Sequence, residues 1–183
     1  MLENTPTPEA SVENTGIGAT PDGDGWFILN VADAPAIGTD RFGKGCLMGE
    51  PRPGAIFQEF GINIRVLDPG QPSTLYHRED ASEAFLVLSG ECIAIVEGQE
   101  RPMRKGDFLY TPAATAHAFV GAGDGPCAVL MVGARRPGID TLYPADDTAA
   151  KHGASVPATT ADSNEAYGDA WSTMQMTKIG VPW

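Results

Sequence analysis

Between residues 60 and 134 apolar positions come in short runs, and Gly or Pro separates the runs. Ile62, Ile64 and Val66 alternate with Asn63, Arg65 and Leu67, a period of two that predicts a strand. Further strands are predicted over 74–79, Ala84–Leu88, Cys92–Val96, Arg101–Arg104, Phe108–Thr111, Ala116–Val120 and Cys127–Ala134. Asp68-Pro-Gly, Ser89-Gly90, Gly106-Asp107 and the run 121–126 supply the breaks. Glu97-Gly-Gln-Glu100 has the character of a hairpin turn, with Gly98 taking the unusual backbone angles. No helical pattern of 10–15 residues lies between the strands, so a parallel βαβ sheet is excluded. Short, closely spaced strands predict an all-β sandwich or barrel.

The flanks read differently. Residues 1–24 are rich in Thr, Pro, Glu, Asn and Gly and are expected to be a mobile arm. Trp26–Val31 is the first apolar segment and is expected to be a strand; the Gly- and Pro-dense stretch 33–55 is expected to be irregular. After Arg136, the segment 143–153 carries helix signals: Asp146 and Asp147 early, Lys151 and His152 late, and Gly153 as the stop. Residues 154–164 look like a linker. Tyr167, Trp171, Met174, Met176 and Trp183 are large side chains that need cover, on this barrel or a partner's. The expected division is an arm (1–24), a barrel (25–136) and a tail with a short helix (137–183).

Composition narrows the function classes. With 183 residues the chain suits one domain with a proper core. A net charge of -12 opposes a nucleic-acid surface, which needs clustered Lys and Arg, and opposes an anionic membrane surface. The three cysteines form no C-x-x-C pair, and the first residues lack the apolar core of a leader. A soluble, cytoplasmic protein with reduced thiols is expected.

The candidate chemistry stands at the head of one apolar run and behind one loop. His77 and Glu79 are two apart and share a face if that segment is a strand. Glu83 opens the next strand, and His117 comes from a strand more distant in sequence. A barrel can bring all four into one cavity. Two imidazoles with one or two carboxylates suit one divalent ion of iron, manganese, nickel, copper or zinc. With His77, Glu83 and His117 alone, the set is two His and one carboxylate, which leaves positions open for substrate or dioxygen. Glu79 is then either a fourth ligand or a catalytic acid/base. Tyr76 and Tyr110 are candidates to orient a substrate, against a plain strand role. Arg65 can clamp an anion if its alternation faces the cavity; otherwise it faces solvent.

These residues resemble the cupin family. Its first motif, G-x5-H-x-H-x3,4-E-x6-G, is matched by Gly70, His77, Glu79, Glu83 and Gly90, with Glu79 where a second His is usual and one extra residue after Gly70. Its second, G-x5-P-x-G-x2-H-x3-N, is matched by Gly106, Pro112, Ala114, His117 and Gly121, with Ala for Gly and Gly for Asn. The resemblance covers roughly residues 60–134. It implies a small double-sheet jelly-roll barrel holding one metal ion, often as a homodimer. Two functions follow from it: a metal-dependent enzyme on a small organic molecule, dioxygenase-like or isomerase-like, or a non-catalytic barrel that binds a small ligand or metal for sensing or storage.

Overall fold

The computed structural model describes residues 6–23, 25–48, 57 and 59–183. Its strands are β1 (Ser11–Asn14), β2 (Ala19–Asp22), β3 (Pro35–Gly38), β4 (Lys44–Cys46), β5 (Phe60–Leu67), β6 (Arg78–Glu79), β7 (Glu83–Ser89), β8 (Glu91–Val96), β9 (Gln99–Arg104), β10 (Phe108–Thr111), β11 (His117–Ala122), β12 (Cys127–Ala134), β13 (Thr141–Leu142) and β14 (Gln175–Lys178). Two short helices, α1 (Asp147–Lys151) and α2 (Ser163–Tyr167), stand late in the chain. The strands are antiparallel throughout. A seven-stranded sheet in the order β10-β7-β12-β5-β4-β3-β14 faces a three-stranded sheet, β11-β8-β9. This is the expected jelly roll.

The period of two along β5 decides which side chains enter the barrel. Leu67 lies in the inner core with Phe85, Val87 and Val129 of the large sheet and Cys92, Ala94 and Phe119 of the small one. Ile64 and Val66 face the other way, into an outer cluster with Ala36, Cys46, Ala128 and Ile179. Arg65 pairs with Val129, and Asn63 with Met131, so both belong to the inward face. All three cysteines are buried and free.

Several expectations change at the flanks. Trp26–Val31 is not a strand: Asn30 caps a 3-10 turn over Val31–Asp33, and Ile28 is 81% exposed. The segment is apolar but has no sheet edge to join except one bridge, Trp26 with Glu9. Two short strands, β3 and β4, occupy the stretch expected to be irregular; the expectation for 49–56 lies outside the described residues. The arm contains the hairpin β1–β2. Of 74–79 only β6 is strand, with a bridge at His77.

The predicted helix signals at Asp146 and Gly153 hold. Asp146 accepts a hydrogen bond from the Ala149 N–H at 2.8 Å and so caps α1, and Gly153 follows with φ 67°. The tail does more than cover the barrel: β14 adds to the large sheet by pairing with β3.

Candidate metal centre

His77 and His117 are brought together by backbone pairing. Each donates its N–H to the other's carbonyl, at 3.1 and 2.8 Å, and the two rings lie 5.0 Å apart. Glu83 starts β7, whose neighbours across the inward face are Thr111 on β10 and Gly133 on β12. Gly133 borders the carboxylate: a Cβ there would make an ordinary contact, 3.4 Å from the Glu83 Oε1. One donor atom from each of His77, Glu83 and His117 lies within 4.8 Å of the others.

Both imidazoles are aimed by the backbone behind them. The His77 Nδ1 lies 2.7 Å from the Leu75 carbonyl, and the His117 Nδ1 lies 3.0 Å from that of Thr115. A carbonyl only accepts, so each Nδ1 carries the proton and each Nε2 keeps its lone pair. Backbone bonds of this kind orient metal-binding histidines.

Burial sets the charge. His117 is pushed down to about 4 by desolvation and by His77 beside it. His77 is also lowered, chiefly by burial, with Arg65 adding to the effect. Glu83 is pushed up to about 7 by burial and then by the Glu79 carboxylate. The His117 Nε2 to Glu83 Oε2 contact of 3.2 Å has the length of an ion pair. These shifts make it a neutral hydrogen bond below pH 7, in which the acid O–H donates to the imidazole. The donor set is two neutral imidazoles and a carboxyl group that ionises near neutrality, held at one point. It fits a divalent first-row ion.

Glu79 stands apart from that group. Its Oε1 is 4.0 Å from the His77 Nε2, and its side chain is 31% exposed. It lines an open cavity of about 910 Å³ with Arg78, Asp140, Thr141 and Tyr143. The carboxylate therefore lies beside His77 and on the wall of that cavity.

The other predicted site residues are dispersed. Tyr76 is buried against Ile95, Ala116 and Ala118, and its hydroxyl accepts from the Gly98 N–H at 2.9 Å, away from the three donors. Tyr110 is 58% exposed on the edge strand β10, on the face opposite its inward neighbours Leu109 and Thr111. Arg65 is inward and mostly buried, and its Nη1 donates to the Gly43 carbonyl at 3.2 Å. Its default solvent-facing reading does not hold, because β5 is covered on both faces.

Sequence reasoning missed Tyr143 and Tyr167. The Tyr143 ring is 6.1 Å from the His77 ring and 5.6 Å from that of Tyr167. Both come from the tail, and the only signal was that its aromatic side chains needed cover. Asn63 was also missed: its Oδ1 is buried without a partner on the inward face.

Residues 63–133 match the family model for the cupin domain, Cupin_2. No curated protein matches the chain. Solved structures do. A protein provisionally named a sugar phosphate isomerase, from Acidithiobacillus ferrooxidans, is 31% identical over 46% of this chain and 55% of its own, with a TM-score of 0.44. The chain thus spans about half the length of that protein. A cupin-superfamily sugar phosphate isomerase from Silicibacter pomeroyi is 25% identical over 69% of this chain and 73% of its own, with a TM-score of 0.46. The polyketide cyclase RemF from Streptomyces resistomycificus is 19% identical over 61% and 82%, with a TM-score of 0.51, and shares the fold.

Proposed function

We propose that this chain, in which residues 63–133 form a cupin domain, is an isomerase-like enzyme. It holds one divalent metal through His77, Glu83 and His117 and moves a proton on a small organic molecule. The observation that carries the reading is the separation of roles among the carboxylates. Glu83 belongs to the converging donor group, whereas Glu79 stands 4.0 Å from His77 with access to the open cavity. When bound, such an ion supplies Lewis acidity toward a substrate carbonyl. Glu79 is the acid/base: its carboxylate takes the proton from the carbon beside that carbonyl and returns it at another position. Tyr143, packed on His77 and 8% exposed, walls the cavity next to Glu79.

The donor set itself favours a second reading, a dioxygenase, because two His and one carboxylate leave positions open. The third, a non-catalytic barrel for sensing or storage, predicts that Glu79 is dispensable. One experiment separates all three. Protein purified without added metal is analysed for metal content, and Glu79→Gln is compared with His77→Ala and Glu83→Ala. The variants are then assayed with panels of sugar phosphates, phenolics and diketones for solvent deuterium incorporation and for oxygen uptake. The proposal expects metal in the wild type and Glu79→Gln, none in the other two, and deuterium incorporation that Glu79→Gln abolishes. Oxygen uptake without solvent exchange would favour the dioxygenase.

Phe60, Phe108 and Tyr110 expose 41%, 65% and 58% of their surface around the large sheet. This apolar outer face supports a homodimer, checked by light scattering on the eluting protein. A single folding unit of barrel and tail, with the hairpin arm beside it, is in keeping with β14 joining the barrel sheet. No helix among the described residues is long and apolar enough to cross a membrane.

A further inference from the structure

Arg65 points into a second cavity, distinct from the open one beside Glu79. The cavity measures about 60 Å³, and Phe42, Ser73, Thr74, Tyr167 and Trp171 line it with the guanidinium. The guanidinium lies flat over Gly45, where a Cβ would be 3.2 Å from its Cζ. Glycine at that position is what lets the side chain extend along the wall.

The charge of Arg65 has no counterpart there. Of five N–H donors, the described residues satisfy one, through the Gly43 carbonyl at 3.2 Å. No acidic residue lines the cavity among the described residues, in a chain whose net charge is -12. Tyr167 is an ionisable neighbour on the same wall, and it does not help. Burial pushes its phenol up to about 12, and its hydroxyl oxygen accepts from the Leu75 N–H. A mostly buried cation with four donors unmatched among the described residues is costly unless a ligand supplies the anion.

The rest of the wall says which anion. A planar fork matches a carboxylate in two parallel bonds, and Ser73 and Thr74 add neutral polar groups beside it. A cavity of about 60 Å³ takes a head group and the atoms directly behind it. Beyond the head group the surface is apolar: Trp171 is 45% exposed and Met174 is 38% exposed, and the Trp171 ring stacks at 4.6 Å on that of Tyr167. An aromatic body fits that rim.

We propose that this cavity is a binding site for a small aryl carboxylate, with Arg65 holding the carboxylate and Tyr167 and Trp171 receiving the ring. The site stands on the surroundings of Arg65 and does not depend on the metal reading.

Benzoate is the probe, titrated into the full chain by calorimetry and by tryptophan fluorescence, once with a chelator and once after metal loading. Saturable one-to-one binding is expected, with benzyl alcohol at least about tenfold weaker because it lacks the charge. Arg65→Met should lose about tenfold or more in affinity while keeping its metal content. Trp171→Phe should lose most of the fluorescence change and keep the calorimetric binding. Should Arg65→Met fail to fold, Arg65→Lys tests the fork while keeping the charge, and it is expected to weaken benzoate several-fold. No benzoate binding by folded wild type, equal binding of benzyl alcohol, or unchanged binding in the folded Arg65 variant would overturn the site. Displacement of benzoate by equimolar inorganic phosphate would overturn the carboxylate class. Metal without benzoate binding sinks only this site; benzoate binding without metal sinks only the proposed function.

Discussion

Glu83→Gln should make the metal-free protein more stable above neutral pH, although it removes a residue the site needs. The folded carboxyl ionises near 7 and the free one at 4.5, because burial and the Glu79 carboxylate oppose its charge. Below pH 4.5 both folded and unfolded chains carry the neutral acid, and the full stability is present. As pH rises toward 7 the unfolded chain ionises and the folded one does not, so stability is lost progressively. The difference of 7 − 4.5 = 2.5 units corresponds to about 3 kcal/mol above pH 7. A glutamine in its place is neutral at every pH. Its amide N–H can replace the acid O–H in the 3.2 Å contact with the His117 Nε2. In a chelator, denaturant unfolding should therefore give similar stabilities below pH 4.5 and a lead of about 1.4 kcal/mol for the variant at pH 5.5. At pH 8.5 the variant should lead by about 3 kcal/mol, roughly 6–12 °C in Tm for a chain of this size. Adding a divalent metal should reverse the order, since only the wild type gains binding energy. A variant no more stable than wild type at pH 8.5 in chelator would refute the reasoning, because the carboxylate would then be solvated or paired.

Metal uptake should release about one proton at pH 6 and none above pH 8, read from calorimetry in buffers of different ionisation enthalpy. His117, pushed down to about 4, is already neutral there, and Glu83, raised to about 7, supplies that proton. Ala114→Gly should stabilise by about 1 kcal/mol in denaturant unfolding, because Ala114 holds φ 66°, where an alanine is strained. Gly121→Ala should cost more than about 3 kcal/mol by the same measurement, since its Cβ would sit 2.2 Å from the Asp68 carbonyl oxygen.

The strands of the barrel were legible because their signals are local. A period of two, bounded by Gly and Pro, marks β5 and the turns on either side of it, but not which face enters the barrel: Ile64 and Val66 pack outward, and Arg65 lies inward. The same logic explains the departures from the family pattern at 114 and 121. Ala114 tolerates a backbone that Gly would take freely, whereas Gly121 is needed because the Asp68 carbonyl crosses so close to it. The convergence of His77, Glu83 and His117 was readable from spacing, since each stands at the start of a strand or at a bridge. Trp26–Val31 failed because hydrophobicity does not by itself provide a partner strand. Whether Tyr76 and Tyr110 meet a cavity or serve the strand was not legible for a related reason. Which face a tyrosine takes depends on register with its neighbours, and one sequence does not state that register.

The tail carries the least legible part and has the larger consequence for function. The segment matched by the cupin model ends at residue 133, yet Tyr143 packs on His77, and Tyr167 and Trp171 wall the Arg65 cavity. Phe42 completes that wall from before the segment, in edge contact with Tyr167 at 5.4 Å. The shared barrel thus supplies the donors, and residues outside it supply the surfaces that a ligand meets. A helix of five residues and a 3-10 turn have little intrinsic stability, so tertiary contacts hold these aromatics in place. It follows that substitutions at 143, 167 and 171 should change these surfaces and leave the donor group of His77, Glu83 and His117 in place. Replacing Tyr167 with Phe isolates that division: it removes the hydroxyl bond to Leu75, next to the carbonyl that orients His77, and keeps the ring that faces Arg65. Metal content should be unchanged and benzoate affinity should fall only a few-fold, whereas Tyr167→Ala, which removes the ring, should weaken benzoate by about tenfold.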